Sequence, residues 1–156
     1  MRASWGLIFA VLLGAAAPAP DSPQAFIDGL YAYYLRPDPG PRDLTSIYAP
    51  PMLERFRRLD AVQDRLGEGG GGDDICQCQD WQDLKVTSSA IRPLPDGRAE
   101  ATVNFLNIGE EKWVRFRLLR TASGWRVENL FSQFYPQGLA AFIEAETKAS
   151  EARLPR

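Results

Sequence analysis

Hydrophobic and polar positions repeat first at helical spacing, then with a period of two, and at the end at helical spacing again. Phe26, Leu30 and then Tyr33 or Tyr34 form one apolar stripe near the N-terminal end. Such a stripe predicts a helix that packs one face against a core. This helix must end before residues 37–41, where three prolines and a glycine interrupt it.

Capping residues give the helical stretches clear starts. Ser22 followed by Pro23 is a typical helix N-terminus, because serine caps free N–H groups and proline needs no partner in the first turn. A second helical region is predicted over residues 43–66, with an interruption at Pro50-Pro51. A final helix is predicted from Pro136, with Leu139, Phe142 and Ile143 at helical spacing.

Between Trp81 and the last helix, apolar and polar residues alternate as in half-buried strands. Turn signals at Asp96-Gly97, at residues 107–109 and at Ser123-Gly124 divide this stretch into about four strands. Two inward rows are predicted on the central strands: Ala99, Ala101, Val103 and Phe105 on one, and Val114, Phe116 and Leu118 on the next. The sequence therefore predicts an α+β domain, with N-terminal helices and a C-terminal helix packed on one curved antiparallel sheet.

The N-terminal end has the pattern of an export leader. A basic residue near Met1 precedes the apolar stretch from Trp5 to Leu13, and small residues follow. This stretch is shorter than the ~20 residues that span a bilayer. We predict a signal peptide over residues 1–20, a single domain over 21–147 and a polar tail over 148–156. The predicted location is periplasmic or secreted, with no membrane attachment after cleavage; an uncleaved N-terminal anchor is the alternative.

Composition excludes several classes of function. The formal net charge is −2, with 18 basic and 20 acidic residues, and this balance argues against nucleic acid as a partner. The chain has no histidine, which excludes a Ser-His-Asp triad and removes the usual proton carrier near neutral pH. Metal binding lacks ligands beyond the two thiols, so we predict no metal site and no cofactor.

The only two cysteines, Cys76 and Cys78, stand one residue apart between acidic residues. In an extended segment, side chains at i and i+2 point to the same side, so a disulfide can form. Such a bridge closes a very small loop and contributes only about 1.6 kcal/mol in the loop-entropy model. Three alternatives stay open: a local constraint on the chain, a redox-active pair, and a pair that handles Cu(I).

Two further groups of residues are candidates for a binding or catalytic site. Asp80 is followed by Trp81, and an aromatic neighbour can desolvate a carboxylate and raise its pKa; the alternative is that Asp80 caps a turn. Trp113, Arg115 and Arg117 lie on one face of a predicted strand. This face could receive an anionic ligand, although such arginines more often pair with carboxylates on adjacent strands.

The helix containing residues 30–34, the segment from Ile75 to Trp81 and the hairpin containing Trp125 resemble a family of exported bacterial domains of unknown function. The family is the domain of unknown function 3828 family. It resembles the cystatin-like, nuclear-transport-factor-2-like superfold, a cone of helices on a curved antiparallel sheet. The resemblance extends from about Ser22 to Ile143. It implies a fold and an export route, but no reaction. Enzymes of the wider fold use a His and Asp pair, and this chain has no histidine.

These observations favour a non-enzymatic module that binds a small ligand or a protein through its sheet face or a conical pocket. The first alternative is a carboxylate-based hydrolase or isomerase centred on Asp80. The second is thiol redox chemistry or Cu(I) handling by Cys76 and Cys78. Homodimerisation through the open sheet face is also consistent with the sequence.

Overall fold

The computed structural model describes residues 22–69 and 71–155. The predicted signal peptide, residues 1–20, lies outside the described residues. Helices α1 (Pro23–Ala32), α2 (Leu44–Ile47) and α3 (Pro50–Leu66) precede strands β1 (Lys85–Leu94), β2 (Arg98–Asn107), β3 (Glu110–Thr121) and β4 (Gly124–Phe131), and helix α4 (Leu139–Arg153) ends the domain. The predicted α+β class is confirmed.

The helices begin where their capping residues predict. The hydroxyl of Ser22 accepts a hydrogen bond from the amide of Ala25, and Pro23 occupies the first turn of α1. Asp43 caps α2 by accepting from the amide of Thr45. Pro50 and Pro51 fill the first turn of α3, so they separate α2 from α3 rather than kinking one long helix.

The strands form one antiparallel sheet in the order β1-β2-β3-β4. The predicted β2 and β3 alternations are confirmed, because Val103 lies opposite Val114 and both face the helices, whereas their neighbours Thr102 and Arg115 face outward. Register shifts between Val86 and Ser88 and between Arg117 and Leu118 interrupt the ladders, and such bulges bend a sheet. Strand β1 continues to Leu94, close to the turn at Asp96-Gly97.

The core lies between the inner sheet face and the four helices. Helix α1 packs over β1 and β2, whereas α2, α3 and α4 pack over β4. The inner rows of β2 and β3 are almost completely buried, and Phe105 and Phe116 are their largest members. Tyr31 of α1 packs against both of these rings. This arrangement fixes the C-terminal end of α1 above the middle of the sheet.

The two edges of the sheet differ. Tyr48 forms a parallel bridge with Val127, and the amide of Ala49 donates to the carbonyl of Val127 at 2.9 Å. The segment between α2 and α3 therefore occupies part of the β4 edge. The β1 edge has no such partner among the described residues.

Helix α4 is longer than predicted. It begins at Leu139 rather than Pro136 and continues to Arg153, so residues 148–153 of the predicted polar tail are helical. Thr147 and Ser150 are buried against the domain although both are polar. Arg153 pairs with Glu68 beyond the end of α3, at 2.5 Å between Nη1 and Oε1. None of the helices in the described ranges has the length and apolar character needed to cross a membrane.

Candidate functional site

A cavity of about 730 Å³ opens between α3, α4 and the segment that carries the cysteines. Its walls combine aromatic rings with acidic side chains. The aromatic residues are Tyr33, Tyr48, Phe56, Tyr135 and Phe142, and the charged residues are Arg42, Asp60, Asp73, Asp74 and Glu146. A volume of this size fits a small organic ligand.

Residues 73–78, named here the cysteine turn, form one end of this cavity. The amide of Asp73 donates to the carbonyl of Cys78 at 2.7 Å, and the return bond between the same residues is 3.3 Å. The carboxylate of Asp73 also accepts from the amide of Ile75 at 2.8 Å, as aspartate often does in turns. Gln77 adopts a positive φ of 54°.

The cysteine pair closes this turn. Cys76 and Cys78 lie at disulfide distance, with their Cα atoms 5.2 Å apart. The expectation of an extended segment is wrong, since residues 74–77 form a turn. Cys76 is completely buried in the core, whereas Cys78 is only partly buried. The pair therefore closes the turn on the side that faces the core, and it does not line the cavity.

The hydroxyl groups of Tyr31 and Tyr34 form hydrogen bonds to the cysteine turn. The hydroxyl of Tyr31 donates to the carbonyl of Ile75 at 3.3 Å, and the hydroxyl of Tyr34 donates to Oδ2 of Asp73 at 2.7 Å. Burial raises the pKa of both tyrosines, and the charge of Asp73 raises it further. Both hydroxyls therefore keep their protons and act as donors at neutral pH.

The guanidinium group of Arg42 lies close to a carboxylate, a backbone carbonyl and two aromatic rings. Its Nε lies 3.6 Å from Oδ2 of Asp73, and its Nη2 donates to the carbonyl of Leu30 at 3.1 Å. Its guanidinium carbon lies 3.8 Å from the ring centre of Tyr33 and 4.5 Å from that of Tyr34. Only 11% of the side chain is exposed. Its charge therefore offsets that of Asp73 rather than facing the cavity freely.

Asp74 has a different environment from its neighbour. Its Oδ1 accepts a hydrogen bond from the hydroxyl of Tyr135 at 2.7 Å, and it has no ion pair with any described residue. Burial raises the pKa of Asp74 to about 6; the hydrogen bond from Tyr135 lowers the pKa, and the charge of Asp73 raises it. Asp74 can therefore exchange a proton near neutral pH.

The segment after β4 fixes Tyr135 beside Asp74. Ser132 is buried and donates to the side-chain oxygen of Gln77, while its own hydroxyl accepts from the amides of Phe134 and Tyr135. Lys112 donates to the backbone carbonyl of Gln77 at 3.0 Å. The cysteine turn is thus bonded to α1, to β3 and to the segment before α4, so its position is set by the whole fold.

Asp80 and Trp81, which are adjacent in one predicted site, have different environments in the structure. Asp80 is exposed, and its backbone carbonyl accepts from the side chain of Asn107. Trp81 is half-buried and packs against the rings of Tyr33 and Tyr34, at 6.0 and 5.4 Å between centres. The desolvation expected for Asp80 occurs instead at Asp74.

Trp113, Arg115 and Arg117 share the outer face of the sheet, on the opposite side from the cavity. Trp113 is 41% exposed. Arg115 lies 3.9 Å from Glu100, and the guanidinium carbons of Arg115 and Arg117 lie 4.7 and 5.6 Å from the ring centre of Phe131. The structure therefore brings these three residues together, but it does not join them to Trp81 or Asp80.

Local sequence patterns do not predict the cavity. Asp74 stands two residues before Cys76 in the sequence. Its partner Tyr135 lies 61 residues away, and no local pattern links the two. Among the described residues, no group of three or more Cys, Asp or Glu side chains is placed to hold a metal ion.

Comparison with family models, with curated proteins and with solved structures found no match for this chain.

Proposed function

We propose that this protein is an exported, non-enzymatic module that binds a small ligand in the cavity between α3, α4 and the cysteine turn. One observation carries the proposal: an open cavity of about 730 Å³ whose wall includes the partly buried, desolvated carboxylate of Asp74. Ligand sites commonly combine apolar walls with a few convergent polar groups. The outer sheet face offers Trp113 and arginines, and a cavity of about 630 Å³ reaches this face at Arg117, but no aromatic residue is among the described residues that line it.

Export is part of the same proposal. The leader pattern of residues 1–20 supports it, and so does the cysteine pair at disulfide distance, because disulfides persist mainly in oxidising compartments. The resemblance to the domain of unknown function 3828 family agrees with this route. The intact mass of protein recovered from its native compartment provides the test. A full-length, fully reduced mass would contradict export.

Native mass spectrometry with two matched variants tests the binding site. Leu59→Trp places an indole in the cavity, because Leu59 lines it from α3. Leu35→Trp is the control, since Leu35 is 73% exposed and lies outside the cavity. We expect the wild type and the control to retain a bound small molecule that Leu59→Trp lacks. Retention in Leu59→Trp and loss in Trp113→Ala would place binding on the sheet face instead.

One observation favours a second function, acid–base catalysis. The pKa of Asp74 is raised to about 6, and a carboxyl group with such a pKa beside a cavity is suited to proton transfer. We therefore propose Asp74, rather than Asp80, as the carboxylate that would carry this chemistry. A turnover that survives Asp74→Asn but not Asp80→Asn would instead assign the proton transfer to Asp80.

A further inference from the structure

We propose that the ligand of the cavity is an organic cation, an amine attached to an apolar or aromatic body. This inference rests on the proposed binding function and names its ligand class. The cavity geometry supports it in three ways: among the described residues, three carboxylates that line the cavity have no ion pair, its one basic residue is already engaged, and its wall is aromatic.

The carboxylates come from three separate elements. Asp60 lies on α3, Glu146 lies on α4 and Asp74 lies in the cysteine turn, and all three line the same cavity. None of them has an ion pair with any residue in the described part of the chain. Asp74 is partly buried, and its desolvation without a cation makes the ionised carboxylate costly. A ligand ammonium group would supply the missing positive charge.

Arg42 is the only basic residue among those that line the cavity within the described ranges. Its Nη2 is bonded to the carbonyl of Leu30, and its guanidinium group is stacked on Tyr33 and Tyr34. Its Nε is buried without a hydrogen bond, but it lies 3.6 Å from the carboxylate of Asp73. An anionic ligand would have to displace this pair, and it would also meet three unpaired carboxylates.

Aromatic rings stand beside these carboxylates. Tyr48 and Phe56 pack edge to face at 5.0 Å between centres, and Tyr135 and Phe142 pack at 4.9 Å. One pair comes from the α2–α3 side of the cavity and the other from the segment that leads into α4 and from α4 itself. Aromatic rings attract cations through their electron-rich faces and also accept apolar groups. The same cavity can therefore hold both parts of an aromatic or alkyl amine.

Calorimetry with three probes of nearly equal shape tests the ligand class. The probes are phenylbutylamine, phenylbutanol and phenylbutanoate, and the protein is the full chain expressed with its N-terminal segment. We expect the amine to bind about tenfold more tightly than the alcohol, which corresponds to one charge interaction of modest strength. The carboxylate should bind most weakly. Tightest binding of phenylbutanoate would overturn the cationic ligand and leave cavity binding intact.

Charge-neutralising variants locate the interaction. Asp74→Asn should weaken amine binding about tenfold and leave alcohol binding within about twofold, because only the charge is removed. Asp83→Asn is the control, since Asp83 is exposed and outside the cavity. If Asp74→Asn does not fold, Glu146→Gln replaces it, because Glu146 is partly exposed. Equal amine affinity in wild type and variant would overturn the inference. No binding of any probe, with unchanged chemical shifts around the cavity, would overturn the proposed binding function as well.

Discussion

The hydroxyl of Tyr135 donates to the carboxylate of Asp74 at 2.7 Å, across 61 residues of chain. This bond joins the cysteine turn to the segment that leads into α4. It is also the direct hydrogen bond that favours the charged form of Asp74. The pair therefore links the electrostatics of the cavity to the packing of the C-terminal helix.

Tyr135→Phe should raise the pKa of Asp74 above its value of about 6, because the substitution removes a hydrogen bond to the charged form. Above that pKa, the free energy of unfolding should fall by about 2 kcal/mol, the usual cost of losing a bond to a charged group. Carbon NMR of the Asp74 carboxyl group and urea denaturation measure the two effects. Tyr33→Phe is the control, because the Tyr33 hydroxyl donates to the carbonyl of Gly40. Equal Asp74 titration in both variants would contradict the assignment.

The free energy of unfolding should decrease as the pH rises from about 4 to 6. Asp74 has a folded pKa of about 6 against an ordinary value of 3.8, so the folded state binds more protons in this interval. The shift corresponds to about 3 kcal/mol between the ends of the interval. The titratable and charged groups that face Asp74 or share its cavity are Tyr33, Arg42, Tyr48, Asp60, Asp73, Tyr135 and Glu146.

Denaturation at several pH values, in wild type and in Asp74→Asn, checks this dependence. The variant should lose most of the slope between pH 4 and 6, because its amide does not titrate. Asp43 and Glu68 have lowered pKa values, so protonation of these exposed groups should reduce stability only at lower pH. A wild-type curve that rises with pH over the same interval would show that Asp74 is ionised more easily in the folded protein than its burial implies.

Gly138→Ala should destabilise the protein by about 2 kcal/mol or more, because Gly138 has a φ of 96° that side chains rarely adopt. An added Cβ would also lie 2.6 Å from Nδ2 of Asn129. The side-chain oxygen of Asn129 accepts from the amide of Ala140 at 3.1 Å, so the clash would disturb the start of α4.

Gly29→Ala is the matched control for this change. Gly29 lies in the middle of α1, and nothing stands within 4 Å of an added Cβ. This substitution should stabilise the protein by about 0.5–1 kcal/mol through higher helix propensity. Thermal unfolding of the two variants should therefore shift in opposite directions. Similar shifts for both would mean that the start of α4 tolerates a side chain.

Replacing Cys76 and Cys78 together by serine should lower the free energy of unfolding by about 1.6 kcal/mol, because a bridge with a sequence separation of 2 constrains little of the unfolded chain. The local effect should be larger. Amide chemical shifts should change in the cysteine turn and in residues 132–135, which it contacts. Reduction of the wild type should reproduce these changes, and reductant should leave the double variant unaffected. A loss of more than about 4 kcal/mol would assign the pair a global role.

The sequence predicted those features that depend on neighbouring residues. The start of α1 at Ser22-Pro23 and the inward rows of β2 and β3 follow from capping chemistry and alternation, and all are confirmed. The end of α4 was missed because buried Thr147 and Ser150 resemble solvent-facing residues in sequence. Thr147 satisfies its hydroxyl within the helix, by donating to the carbonyl of Ile143.

The cavity depends on distant contacts, which the aromatic neighbour of a carboxylate in the sequence does not reveal. Trp81 follows Asp80 in sequence, but its ring packs on Tyr33 and Tyr34. The carboxylate that becomes buried is that of Asp74, since the fold brings Tyr135 onto it. Spacing along the chain predicts a helix face or a strand face, but it does not predict which loop a helix end will cover.

The meander order of the sheet has a consequence for how the protein reaches its native state. Apart from the bridge between Tyr48 and Val127, strands β1 to β4 pair within the described residues only with their neighbours in sequence, so each hairpin closes a short loop. The cysteine turn instead needs partners 55 and 61 residues away. Because distant contacts cost more chain entropy to form, we expect the sheet to appear early in refolding and the cavity last. Ligand binding would then occur only after folding is complete. During refolding, the binding signal should therefore appear later than the burial of the tryptophan side chains.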